Sequence, residues 1–185
     1  MPKALVFDFF GVICSEISPQ WLRSHVSEMR AQALKDSYVA AADRNKLSQE
    51  ALFSALSGDT HIPAFQIEQE WFALVHIDEQ MISLIRNLKP HYKLGLLTNS
   101  PSSFLRSILA QHNLTDLFDS IIVSSEIGSA KPDPEIFIKM LESLPAEPQE
   151  VVMIDDNRLN VEAAKKIGMQ GIVFKSYEQL KNELP

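Results

Sequence analysis

The sequence predicts an α/β protein built on a doubly wound parallel sheet, with a small helical cap inserted after the first strand. Three observations lead there. Short apolar runs alternate with amphipathic helical segments along most of the chain. The first run, Ala4-Leu-Val-Phe-Asp8, is apolar without polar alternation, as a strand covered on both faces requires. Residues from about Pro19 to Val75 break the alternation, with helical spacing and no convincing strand.

Each element follows from local chemistry. Lys3 to Phe10 is rich in strand-forming residues, and Gly11 ends it. Trp21, Leu22, Val26 and Met29 fall at helical spacing, as do Ile67, Trp71 and Leu74, with a loop expected over Gly58-Asp-Thr-His-Ile-Pro63. Asp78 to Leu88 places Met81, Leu84, Ile85 and Leu88 on one helical face and is stopped by Lys89-Pro90. Strands follow at Tyr92–Thr98, Ser120–Ser124, Glu150–Asp155 and Gly171–Phe174. Helices lie between them around Phe104–Leu109, over Pro134–Leu144 and over Leu159–Ile167. Gly168 stands where a helix C-terminus favours glycine. Ser176 with Gln179 has the capping-box spacing for a last helix. The expected division is an α/β core of residues 1–14 and 78–185 and a helical cap of residues 15–77.

The chain has 185 residues, enough for one domain carrying an insertion, and its 45% hydrophobic content is ample for a core. The net charge of −7 argues against nucleic acid as a partner, since a phosphate backbone needs a basic face. No apolar run approaches the roughly 18 to 20 residues of a membrane span. Met-Pro-Lys runs straight into a strand without the apolar stretch of a signal peptide. The single cysteine, Cys14, excludes an internal disulfide, and a cytoplasmic setting is expected. The five histidines show no metal-ligand spacing and read as structural or surface residues.

In a doubly wound sheet the ligand binds beyond the carboxyl ends of the strands. Those ends supply Asp8, then Thr98 and Asn99, then Asp155 and Asp156, with Lys131 following the third strand. Three converging carboxylates repel one another unless a cation joins them, and Mg²⁺ takes oxygen ligands while keeping open positions for phosphate. Thr98 and Lys131 are suitable donors to phosphate oxygens, and a carboxylate fixed beside Mg²⁺ can attack phosphorus.

Four motifs occur in order: Val6-Phe-Asp-Phe-Phe-Gly-Val12, Leu96-Leu-Thr-Asn-Ser100, Lys131-Pro-Asp-Pro-Glu-Ile-Phe137, and Met153-Ile-Asp-Asp-Asn157 with Asn160 behind it. With these the chain resembles the haloacid dehalogenase superfamily over nearly its whole length, in the phosphatase-like branch with a helical cap. The resemblance implies a Mg²⁺-dependent hydrolase acting on a small phosphorylated metabolite. It makes Asp8 nucleophile and metal ligand. Thr98, Asn99 and Lys131 become the phosphate-binding groups, with Lys131 also catalytic. Asp156 becomes a direct metal ligand, and Asp155 one acting through water.

One position departs from the family pattern. The first motif of family phosphatases usually reads Asp-x-Asp, and the second Asp is the general acid/base. Here it is Phe10, whose backbone carbonyl can bind metal but whose side chain cannot move a proton. That function is typically worth roughly 10²–10⁴-fold in rate. Glu16, His25 or water are the stand-ins considered. The dehalogenase branch carries an aromatic residue at this position, so a metal-independent 2-haloacid dehalogenase is the alternative enzyme. Those enzymes lack the acidic pair of the fourth motif, which here is intact. A non-catalytic phospholigand-binding protein is the third reading. In the cap, Arg23, Arg44 and Lys46 are candidate substrate cations, with solvated surface charge the simpler reading of each.

Overall fold

The computed structural model describes residues 1–184. Five strands, β1 (Ala4–Phe7), β2 (Lys93–Thr98), β3 (Ser120–Val123), β4 (Val151–Asp155) and β5 (Gln170–Val173), form one sheet in the order β3-β2-β1-β4-β5. Every neighbouring pair is parallel. The expected fold class is the observed one. The chain winds outward from β1 through β2 to β3, then crosses to β4 on the other side. The gap between β1 and β4 is therefore the switch point at which such sheets bind ligands.

The lack of alternation in β1 has a direct cause. Leu5 and Phe7 face one layer, packed with Met81, Ile82 and Ile85 of α6 (Glu79–Leu88) and Phe104, Leu105 and Ile108 of α7 (Ser102–Gln111). Ala4 and Val6 face the other, with Ile136, Phe137 and Met140 of α9 (Pro134–Ser143) and Ala164 of α10 (Arg158–Lys166). Both faces are covered, so both parities must be apolar.

Between β1 and α6 the chain forms α1 (Ser18–His25), α2 (Glu28–Leu34), a π-helical turn (Lys35–Val39), α3 (Ala40–Asp43), α4 (Gln49–Thr60) and α5 (Ala64–Ala73). Trp21, Leu22, Leu34, Leu52, Leu56 and Ile67 are its fully buried residues, and their cluster is continuous with the α6–α7 layer. The two strands of chain entering and leaving this insertion are stapled together. Ser15 N–H donates to His76 O at 3.0 Å, Asp78 N–H to Ile13 O at 2.9 Å, and Ser15 Oγ–H to Leu74 O at 2.6 Å. Two short elements complete the core: α8 (Ser124–Ile127) after β3, and α11 (Tyr177–Glu183) at the end.

Several local expectations shift. The apolar run continues to Phe10, but β1 stops at Phe7 because Phe9 O accepts from Ile13 N–H at 2.8 Å and Cys14 N–H at 2.9 Å, closing a turn. The helical spacing through Met29 conceals a break. Val26 is extended, and Ser27 caps a new helix by accepting from Arg30 N–H, leaving Met29 exposed. The loop expected from Gly58 shrinks, since α4 runs through it to Thr60 and His61 makes the left-handed C-cap at φ 59°. The last helix has half of its expected box. Ser176 Oγ accepts from Gln179 N–H, but the Gln179 carbonyl takes Lys175 N–H, one residue earlier.

The expected cost of Leu96→Ala, a fully buried residue of β2, is about 2–5 kcal/mol of unfolding free energy. Met29→Ser at its exposed helical site should stay within about 0.5 kcal/mol. Urea unfolding of the two variants side by side checks both.

Candidate active site

The parallel register sets the site. Phe7 pairs with Leu96 on one side and Ile154 on the other, so the next residue of β1, Asp8, stands level with Asp155 at the sheet's carboxyl edge. Asp8 N–H still donates to Ile154 O at 2.9 Å, which fixes its backbone to β4 before the chain turns away. Asp8, Asp155 and Asp156 each place a carboxylate oxygen within 4.8 Å of the others.

Lys131 joins two of them. Its Nζ lies 2.8 Å from Asp8 Oδ1 and 2.7 Å from Asp155 Oδ2, with the ammonium almost wholly buried. Burial works against the charged lysine, but Asp8 and Asp155 outweigh it and hold the ammonium above the ordinary lysine range. Burial raises the Asp8 carboxyl well above the usual carboxylate range, Lys131 opposes the rise, and Asp155 adds to it. Asp8 Oδ1 also accepts from Phe9 N–H at 2.7 Å.

Asp155 is saturated within the protein. Besides Lys131, it accepts from Asn157 N–H at 2.8 Å and from the Asn160 amide at 3.0 and 3.1 Å. Asp156 is exposed at the cleft, and its carboxyl is raised by burial and then by the neighbouring Asp155. Gly11 explains why this carboxylate can approach the first turn. Its φ is +84°, and a Cβ there would lie 2.6 Å from Asp156 Oδ2.

Thr98 is fully buried at the end of β2, and its hydroxyl has no hydrogen-bond partner. An unpaired buried hydroxyl costs free energy unless a ligand completes it. Asn99 is used differently. Its amide donates to Lys131 O at 2.9 Å and accepts from Lys131 N–H at 2.8 Å, so both polar ends of the side chain hold the lysine's peptide in place. Sequence reasoning put Asn99 on phosphate; in the structure its side chain is bonded to the Lys131 backbone.

These residues open on a cavity of about 150 Å³. Phe10 forms part of its wall. Its ring lies 5.0 Å edge-on from Phe9 and stacks on Phe104 at 6.3 Å. Lys35, Val39 and Asp43, from the helical segment between β1 and α6, also line the cavity, as does Glu16. Burial raises the Glu16 carboxyl, and Asp156 adds to the rise. Burial pushes the Asp43 carboxyl up to about 7, against Arg44, Lys35 and Lys131.

The remaining sequence candidates lie elsewhere. His25 stacks on Trp21 at 4.5 Å and pairs with Glu70, outside the cavity. Arg23 pairs with Glu28, and Arg44 with Asp133 at 3.0 Å. Lys46 is exposed and does not line the cavity. From the segment between β1 and α6, Lys35 is the cation that lines the cavity and Asp43 joins Glu16 as a lining carboxyl; sequence reasoning singled out neither Lys35 nor Asp43. The one signal, spacing of four residues from 35 to 39 to 43, is diluted by the surrounding alanines and by the π turn. Cys14 is buried, and burial raises its thiol, as befits a small core residue. Among the described residues, no helix is long and apolar enough to cross a membrane.

A parallel sheet with a buried carboxylate, a buried lysine and an acidic pair at its switch point defines a hydrolase-like α/β enzyme class. The model of the haloacid dehalogenase-like hydrolases matches residues 4–174, and the chain belongs to that family. The sesquiterpene phosphatase astK of Aspergillus oryzae is 28% identical over 134 residues, covering 70% of this chain and 68% of that one. Other curated relatives are spanned over 12% to 73% of their lengths. Among solved structures, a HAD family enzyme of Bacteroides thetaiotaomicron superposes with a TM-score of 0.83 at 21% identity, covering 98% of this chain and 97% of that one. The same enzyme is known in complex with magnesium and inorganic phosphate. The L-2-haloacid dehalogenase of Xanthobacter autotrophicus, with chloropropionic acid covalently bound, has a TM-score of 0.70 at 23% identity, over 100% of this chain and 82% of that one.

Two outcomes follow from the geometry. Gly11→Ala forces a left-handed side-chain residue against Asp156 and should cost about 1–3 kcal/mol in urea unfolding. Lys131→Met leaves Asp8 and Asp155 buried without their cation and should cost about 3–5 kcal/mol in EDTA. A millimolar divalent cation should restore more stability to that variant than it adds to the wild type.

Proposed function

We propose that the protein is a Mg²⁺-dependent phosphatase, or weak phosphotransferase, acting on a small phosphorylated metabolite through an aspartyl-phosphate on Asp8. The observation that carries the reading is the buried Asp8–Lys131–Asp155 chain beside the unpaired Thr98 hydroxyl. Together they leave a nucleophile and two donors around a space suited to one phosphoryl group. The helices of residues 15–77, in this reading, are a cap that chooses the substrate.

The donor set fits Mg²⁺. It is all oxygen, it includes one exposed and one nearly buried carboxylate, and glycine at position 11 leaves room for Asp156. Asp8, Asp156 and the Phe10 carbonyl would hold the ion directly. Asp155, already bonded on both oxygens by Lys131, Asn157 and Asn160, would act on the ion only indirectly. When bound, the ion supplies charge neutralisation for a phosphate placed against the carboxylates.

The chain's own groups then divide the work. Asp8 Oδ attacks phosphorus. Thr98 Oγ–H and Lys131 Nζ donate to the phosphoryl oxygens, and the Lys131 charge offsets the negative charge gathering there. Asn99 keeps Lys131 aimed. Phe10 contributes a carbonyl and an apolar wall. The ring at Phe10 is the feature that favours carbon–halogen cleavage, but that chemistry gives Asp156 no task.

Acetyl phosphate and p-nitrophenyl phosphate with Mg²⁺ provide the direct test. Turnover should vanish in EDTA and in Asp8→Asn, and Thr98→Ala should lose roughly 10- to 100-fold, the scale of one transition-state hydrogen bond. Halide release from 2-chloropropionate unaffected by EDTA would establish the dehalogenase instead. Phosphate-ligand binding by calorimetry with no turnover would leave a binding protein.

A further inference from the structure

The phosphatase reading leaves the protonation of the leaving group without an owner, because the residue two beyond the nucleophile is Phe10. A titratable group on the cavity wall could take that task more efficiently than water. The described residues that line the cavity include two carboxyls outside the nucleophile and the acidic pair, Glu16 and Asp43.

The surroundings separate them. Asp156 is the charged group that acts most on Glu16, so a divalent cation held by Asp156 would favour the ionised Glu16 carboxyl, which has no proton to donate. Asp43 ends α3 and lines the same cavity as Lys35 and Val39, at positions four residues apart, and no carboxylate of the acidic cluster is among the charged groups acting on it. Its carboxyl makes no hydrogen bond or ion pair with any described residue, and burial outweighs the cations that favour its ionised form. Its position is nonetheless held. The next residue, Arg44, pairs at 3.0 Å with Asp133, two residues beyond Lys131. This contact ties the end of α3 to the segment that carries the phosphate-binding lysine. The charged groups facing Asp43 are Arg44 on its own element, Lys35 from the π turn and Lys131 from the core, all cationic.

We propose that Asp43 is the general acid/base of this enzyme, supplied from the inserted helices in place of the residue missing at Phe10. This rests on the phosphatase reading above. In the first step Asp8 Oδ bonds to phosphorus, the P–O bond to the leaving group breaks, and the Asp43 carboxylic proton passes to the departing oxygen, releasing the alcohol. In the second step the Asp43 carboxylate takes a proton from water as the water oxygen bonds to phosphorus. The bond from phosphorus to Asp8 breaks, inorganic phosphate leaves, and Asp43 is again protonated. The preferred substrates are therefore esters of ordinary alcohols, which need a proton, and not only activated phosphates.

The test compares n-propyl phosphate with p-nitrophenyl phosphate in wild type, Asp43→Asn, Asp43→Glu and Glu16→Gln. Asp43→Asn should lose roughly 10²–10⁴-fold on the propyl ester. On p-nitrophenyl phosphate it should release a stoichiometric burst of nitrophenol before a slow steady state, since only the second step then needs the carboxyl. The wild-type kcat/KM on the propyl ester should fall as pH rises through about 7, and Asp43→Glu should keep that limb while Asp43→Asn lacks it. Equal losses on both esters without a burst, or the same signature in Glu16→Gln, would overturn the assignment and leave the phosphatase reading standing. Wild-type protein inert toward both esters would remove the reading itself, and this inference with it.

Discussion

The ammonium of Lys131, held between Asp8 and Asp155 at 2.8 and 2.7 Å, is the constraint around which the site is built. Two carboxylates level with each other at the edge of a parallel sheet, with a third within 4.8 Å, repel one another in a low-dielectric setting. The sheet cannot relieve this, because its register is fixed by apolar layers on both faces. The lysine relieves it, and the fold spends other residues on keeping the lysine there. Asn99 grips its peptide from β2, and Asn160 and Asn157 complete Asp155 so that only one of its approaches is left for the ammonium. Removing the positive charge leaves the carboxylates to one another, which is why stability and chemistry depend on the same side chain.

The same arrangement explains the division of labour between the two neighbouring aspartates. Asp155 is fully buried and fully bonded, whereas Asp156 is exposed and meets the cleft over the bare Cα of Gly11. A group with no free lone pairs suits structural organisation, and one reaching into solvent suits an incoming ion. The difference arises from strand geometry: β4 ends at Asp155, so the following residue turns out of the sheet.

The sheet and the identities at its strand ends were legible in the sequence because both are local. Unbroken apolar runs report burial on both faces, and the polar residue that ends each run is at the carboxyl edge by construction. What was not legible depends on contacts across long separations. The role of Asn99 needs the peptide of Lys131, 32 residues away. The placement of Asp43 needs a π turn that rotates α3 relative to α2 and an ion pair from Arg44 to Asp133 across 89 residues. The break at Val26–Ser27 was hidden because Met29, at helical spacing, is apolar yet exposed. An apolar residue in periodic position is evidence of a helix only when it is also buried, and burial is not written in spacing.

The location of the proton donor has a physical consequence. A donor two residues after the nucleophile is carried by the same turn and is in place whenever the nucleophile is. A donor on α3 belongs to the insertion, which meets the core through the paired stems at residues 13–15 and 74–78 and the Arg44–Asp133 contact. Acid/base chemistry then requires the inserted helices to be packed on the core, where Val39 lines the same cavity as Phe10 and Phe104. Desolvation raises a carboxyl toward the pH at which it can both give and take a proton, so the packing that buries Asp43 also tunes it. Losing the fixed donor at Phe10 thus exchanges a permanently armed site for one whose proton transfer is available only when substrate and insertion are together.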